Sequence, residues 1–198
     1  MKPVLLTLAA GAACALIVVG LFVWSGIYNV GANVPHWKVT LLLLEAVRER
    51  SIEVRSESIV PPPLGDTKLA EAGLPIFHET CRLCHGAPGL ERDPFAKGMY
   101  PLPPSLIKGE VQEEATDAEI FWVIKNGLKM TGMPSFGSAY PDDQIWSILA
   151  FVRQLPKVSP DDYMKQVQGL APKKARNETR QKNQTISLKA TMPSNTRG

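Results

Sequence analysis

Cysteine is scarce in this chain. Only Cys14, Cys81 and Cys84 occur among its 198 residues, and three cysteines cannot build a disulfide framework. A zinc site needs four ligands, and no second Cys/His pair follows Cys81 and Cys84 at finger-like spacing. A thioredoxin-like redox pair opens a helix after a strand, yet no strand pattern precedes Cys81. A large excess of either charge is also missing, with 22 Lys/Arg against 19 Asp/Glu. The net charge of +3 averages a basic end, residues 157–198 with nine Lys/Arg against three Asp/Glu, and a body with thirteen against sixteen. Without an aromatic-and-basic groove pattern, that balance gives no support to a nucleic-acid partner.

What is present is a short pattern, Cys81-Arg82-Leu83-Cys84-His85. C-x-x-C-H is the signature of covalent c-type haem attachment. Two thiols three residues apart on a helical turn can add across the two haem vinyl groups. The histidine that follows then sits under the iron as its proximal ligand.

From Val4 to Trp24 run twenty-one residues without a charge, long enough to span a bilayer as a helix. Lys2 precedes the run, and Trp24 and Tyr28 are suited to the membrane interface. A cleaved signal peptide has a shorter apolar core and a small-residue cleavage site, which is missing here. A lipoprotein site at Cys14 would need Leu three residues earlier, where Gly11 stands. The run therefore reads as a retained signal-anchor within residues 1–30. Covalent haem is attached outside the bacterial cytoplasmic membrane, which places the rest of the chain in the periplasm on an inner-membrane anchor.

Residues 31–60 are expected to form a juxtamembrane helix, from Thr40 to about Ile59, with Leu41, Leu44, Val47 and Val54 on one stripe. It would pack on the downstream domain, lie on the lipid surface, or dock an integral membrane partner. His36, beside Trp37, is expected to be structural rather than a haem ligand. Pro61-Pro62-Pro63 makes a stiff spacer within residues 61–65.

In residues 66–156, Asp66 is placed to cap a helix that carries Gly73, Pro75 and Phe77 towards the cysteines. His78 is expected on the surface or in a hydrogen bond. A long irregular loop follows His85, and a carbonyl of Pro103 or Pro104 is expected to accept the His85 N–H. Thr116 and Glu119 form a capping box for a helix over 117–126, with Ile120, Phe121, Val123 and Ile124 towards the core. Three methionines, Met99, Met130 and Met133, compete as the soft sixth ligand. Met133 is favoured because Gly132 and Pro134 stiffen its loop. A last helix from Pro141 to Pro156 presents Ile145, Trp146, Ile148, Leu149 and Val152 and is expected to cross the helix of Gly73.

Taken in order, Gly73, Phe77, Cys81, Cys84, His85, Pro103-Pro104, Met133 and the helix with Trp146 resemble a class I cytochrome c. The likeness is to bacterial single-haem domains found as subunits of membrane oxidases and reductases. It implies an all-α cytochrome c fold around one covalent haem c, with Cys81 and Cys84 as thioethers and His85 and Met133 as axial ligands. It implies electron transport in a respiratory chain between redox partner proteins, with no catalytic residues and no small-molecule substrate. A haem-bearing subunit of a larger dehydrogenase, oxidase or reductase is the first alternative. A haem peroxidase or ligand sensor with an open distal site is the second. Residues 157–198, polar and basic, are expected to form a disordered tail.

Overall fold

The uncharged run folds within α1 (Lys2–Ser25), a 24-residue helix with no buried residue, whose most apolar 18-residue window has mean hydropathy 2.6. At 1.5 Å per residue it reaches roughly 36 Å, more than the ~30 Å of a hydrocarbon core. The computed structural model describes residues 2–170. Among these the regular structure is helical, with no strand and one isolated bridge between Ala87 and Leu90.

Beyond α1 the chain turns back on itself. Trp37 stands edge-on to Phe22 of α1 and to Tyr28, with ring centroids 6.0 and 5.0 Å apart. Beside it, His36 Nδ1 lies 2.7 Å from the Tyr28 hydroxyl, and the His36 backbone N–H donates to the Tyr100 hydroxyl at 3.2 Å. His36 is thus a hydrogen-bonding residue, and it ties the end of α1 to a loop of the downstream domain.

The next helix, α2 (Lys38–Ser56), begins and ends slightly earlier than its periodicity predicts. The expected stripe splits: Leu41 and Leu44 are half-buried, whereas Val47 and Val54 are exposed. Steps of three residues fall ~60° short of a full turn, so 41, 44 and 47 precess around the helix. Leu41, Leu44, Ile52 and the buried Ser56 share the more protected side, and α2 packs against α6 (Asp117–Asn126).

The Asp66 carboxylate accepts from the Lys68 N–H at 2.9 Å and so caps α3 (Thr67–Ile76), a contact worth about 1 kcal/mol. Pro75 contributes no N–H near the end of α3. The chain there widens into a π turn, Phe77–Cys81, and tightens again into α4 (Arg82–His85). As expected, α3 crosses the last helix of the domain, α7 (Asp142–Gln154). The crossing is backbone to backbone: a Cβ on Gly73 would lie 2.0 Å from the Ser147 carbonyl oxygen. Around it Leu74, Phe77, Ile145, Ile148, Leu149 and Val152 form a buried core. Phe77 is fully buried and packs on Phe151 with ring centroids 5.2 Å apart, so it serves the core.

Both halves of the Thr116–Glu119 capping box are made at the start of α6. Ile120, Phe121 and Ile124 are buried and Val123 is half-buried. Phe121 stacks on Trp146 of α7 at 3.9 Å. The loop after His85 is less irregular than expected, since it contains a 3-10 turn (Pro94–Gly98) and α5 (Glu110–Glu114). Arg153 of α7 holds this region. It donates from Nε to Asp117 Oδ1 at 2.6 Å, from Nη2 to the Ala115 carbonyl at 2.8 Å, and from Nη1 to the Gln112 carbonyl.

The expected tail needs correction. Its first part folds as α8 (Pro160–Leu170), anchored by a Tyr163 that is fully buried, with Val167 packed against the core. Two apolar side chains one turn apart outweigh the polar composition around them. The remainder, residues 171–198, lies outside the described residues. Burial pushes the Tyr163 phenol up to about 12, so it stays protonated, and its hydroxyl lies within hydrogen-bond distance of His78 Nδ1 at 2.7 Å. Burial, then the charge of Arg82, holds the His78 imidazole below its ordinary value. A depressed imidazole stabilises the fold above its unfolded value of about 6.5, and that contribution is lost as the pH falls through the lower folded value. Tyr163→Phe should therefore cost about 1 kcal/mol in denaturant titrations near neutrality. The difference from wild type should change as the pH falls through the lowered folded value of His78, where the imidazole takes up its second proton.

Candidate haem site

Cys81 closes the π turn, and Cys84 and His85 occupy α4, so the two thiols sit about one turn apart on a continuous helical path. Both thiols are free. Burial pushes the Cys81 thiol up to about 11, against the opposing effect of the Thr80 hydroxyl 3.5 Å away. Burial raises Cys84 as well. Protonated thiols at neutral pH are the reverse of the thiolate that a disulfide oxidoreductase requires.

His85 is held by the Pro-rich loop. Its Nδ1 lies 2.8 Å from the Pro104 carbonyl oxygen. A carbonyl only accepts, so Nδ1 carries the proton and Nε2 keeps its lone pair for a metal. Burial holds the imidazole below its ordinary value, with the Pro104 bond acting the other way. Of the two carbonyls the sequence left open, that of Pro103 is taken by Arg92 Nη1 at 2.6 Å. The turn after His85 is closed by mutual backbone bonds between Ala87 and Leu90, at 2.9 and 2.8 Å, and by the Asp93 N–H donating to the Leu83 carbonyl at 2.9 Å. A cleft of about 400 Å³ opens beside His85, lined also by Leu90, Arg92, Lys97 and Ile107.

The three candidate methionines differ sharply. Met130 is 70% exposed and has a left-handed backbone, φ 60°. Met99 lays its sulfur against Gly132, where an added Cβ would lie 2.5 Å from Sδ. Met133 is half-buried and packs against the core that also holds Trp146, Phe136 and Tyr140 at its margin. Its loop is pinned: the Met133 N–H donates to Thr131 Oγ1 at 3.1 Å, and the Leu128 N–H donates to the Met133 carbonyl at 3.2 Å. The residues after it cap α6. Ser135 Oγ and the Gly137 N–H both donate to the Lys125 carbonyl, at 2.7 and 2.9 Å, and the Phe136 N–H donates to that of Ile124 at 3.2 Å. Gly127, with φ 68°, lets this segment close in, because a Cβ there would meet the Pro134 carbonyl carbon at 2.6 Å.

These donors fit a c-type haem: two free thiols one turn apart, an imidazole oriented through Nδ1, and a thioether on a pinned loop. Among the described residues, no group of three or more His, Cys, Asp or Glu side chains could hold a bare metal ion. The Arg92 and Arg153 bonds to backbone carbonyls were not foreseen from the sequence, because nothing in the local pattern identifies a distant carbonyl as a partner.

No curated protein and no solved structure gives a significant match to the chain. Residues 68–152 match a family model described as cytochrome c oxidase, cbb3-type, subunit III. That stretch begins in α3, contains Cys81 to His85 and Met133, and ends in α7. On this match and on the helical fold around it, the chain carries a single-haem c-type cytochrome domain, consistent with class I cytochrome c.

Proposed function

We propose that this is a membrane-anchored periplasmic cytochrome c that carries single electrons between redox partner proteins in a respiratory chain. In this reading Cys81 and Cys84 form the thioethers, and His85 and Met133 are the axial ligands. Haem c, when bound, supplies an iron that cycles between two oxidation states. The chain orients the ligands and excludes water. The observation that carries the reading is the 2.8 Å contact between His85 Nδ1 and the Pro104 carbonyl, which frees Nε2 for iron. Two protein ligands leave no open position for a substrate, which favours electron transfer over a peroxidase or ligand sensor. The family description favours a second reading, a haem subunit of a larger membrane complex.

Haem staining on a denaturing gel tests attachment, and Cys81→Ala with Cys84→Ala should abolish it. Met133→Ala should remove the long-wavelength sulfur-to-iron absorption band of the oxidised protein and leave the haem covalently bound. The same loss from Met130→Ala or Met99→Ala, with the band intact in Met133→Ala, would reject the axial assignment. Purification in mild detergent separates the two readings: a stoichiometric catalytic subunit supports the second.

A further inference from the structure

One side of α2 has no partner among the described residues. Val39, Leu42, Leu43 and Val47, spaced by three and four residues, are each between 60% and 70% exposed. The opposite side of the helix is turned to the cytochrome domain through α6. Scattered apolar residues on a surface need no explanation, but a continuous strip marks a contact. This strip occupies the first turns of α2 and then gives way to charge, with Arg50 paired to Glu53 at 2.7 Å.

The start of α2 lies at the end of α1. Trp37, the residue before α2, stands against Phe22, which lies one turn inside α1. The connecting segment adds Ile27 and Val30, 66% and 89% exposed. Apolar surface therefore continues from α1 through the junction onto α2. Leu43 comes six residues after Trp37, which is about 9 Å of helix rise, within the roughly 5–10 Å over which an interfacial helix buries its apolar face.

We infer that the outer face of α2, from Val39 to Val47, is seated in the interfacial layer of the lipid bilayer into which α1 inserts. The assignment rests on the reading of α1 as a membrane span. Its occupant is lipid, because the strip continues an already lipid-facing surface. Neutral lipid suffices: the charged end of α2 carries both signs, with Arg48, Arg50 and Arg55 among Glu45, Glu49 and Glu53. The bond from His36 to Tyr100 then holds the Pro-rich loop on the membrane side of the domain.

Site-directed spin labelling of the full-length holoprotein in phosphatidylcholine vesicles tests this. In a Cys14→Ser background, a nitroxide is placed at Leu43→Cys, at Glu49→Cys, or at Leu16→Cys within α1. Collision rates are then compared for oxygen, which partitions into lipid, and for a water-soluble nickel chelate. At positions 43 and 16 oxygen should exceed the chelate several-fold, and at position 49 the order should reverse. Chelate dominance at 43 with oxygen dominance at 16 would overturn the inference and leave the span intact. Protection from both reagents at 43 would overturn it in favour of a protein partner. Chelate dominance at 16 would reject the span, and the inference with it.

Discussion

Replacing Gly73 by valine should leave the chain without a matured haem domain. The added Cβ would fall 2.0 Å from the Ser147 carbonyl oxygen and 2.4 Å from its carbon, both rigid backbone atoms of α7. No rotamer relieves a clash at Cβ itself, so the two helices must separate by more than an ångström. That separation opens the layer formed by Leu74, Phe77, Ile148 and Leu149, all of them at or below 3% exposure. Overpacking a core costs roughly 1–3 kcal/mol where side chains can adapt, and here the backbone must move. Small domains have only about 5–15 kcal/mol in hand. The expected result is loss of haem-stained protein from membranes at growth temperature. Gly73→Ala carries the same first carbon and should show a graded version, with a lowered unfolding midpoint. Normal midpoints for both variants would mean that α3 and α7 do not cross at this contact.

Arg153→Met should destabilise the domain by about 3 kcal/mol without changing the haem spectrum of the folded fraction. Its guanidinium satisfies the Asp117 carboxylate and the carbonyls of Gln112 and Ala115 together. Methionine keeps most of the stem's packing and removes every donor. A buried acceptor left without a partner costs about 1–3 kcal/mol. The sum is held down because Arg153 and Asp117 keep 22% and 34% of their side-chain surface exposed. Asp117→Asn should cost less than half as much, since the two carbonyl bonds survive. Guanidinium titration of the holoprotein measures both, and equal losses would place the energy in the ion pair alone.

The Asp66 and Thr116 caps, the span of α6 and the Gly73 crossing were legible because each depends on neighbours within a turn or on one residue type. The π turn was not, since Pro75 announces a disturbed helix without saying how the chain accommodates it. Nor was α8. Tyr163 and Val167 are its main anchors, and the signal of two residues is lost among Asp161, Asp162, Lys165 and Gln166. The Arg153 bonds join residues as far as 41 apart in the sequence, and their acceptors are backbone atoms that every residue has. Met133 was favoured on its flanking Gly and Pro. The capping of α6 by Ser135, Phe136 and Gly137, which ties that loop down, joins residues ten or more apart through backbone carbonyls that no local pattern marks.

The π turn at Phe77–Cys81 also fixes the phase between two parts of the molecule. A wider turn takes up an added residue without lengthening the helix by a full step, so all that follows is rotated by about 100° relative to an unbroken α-helix. Gly73 must meet α7 on one bearing while Cys84 and His85 present their side chains on another. Deleting one residue of this turn, Glu79 for instance, would keep the motif, the crossing glycine and the helix. It would nonetheless turn His85 away from the Pro104 carbonyl, so spacing at this point constrains the domain as firmly as residue identity.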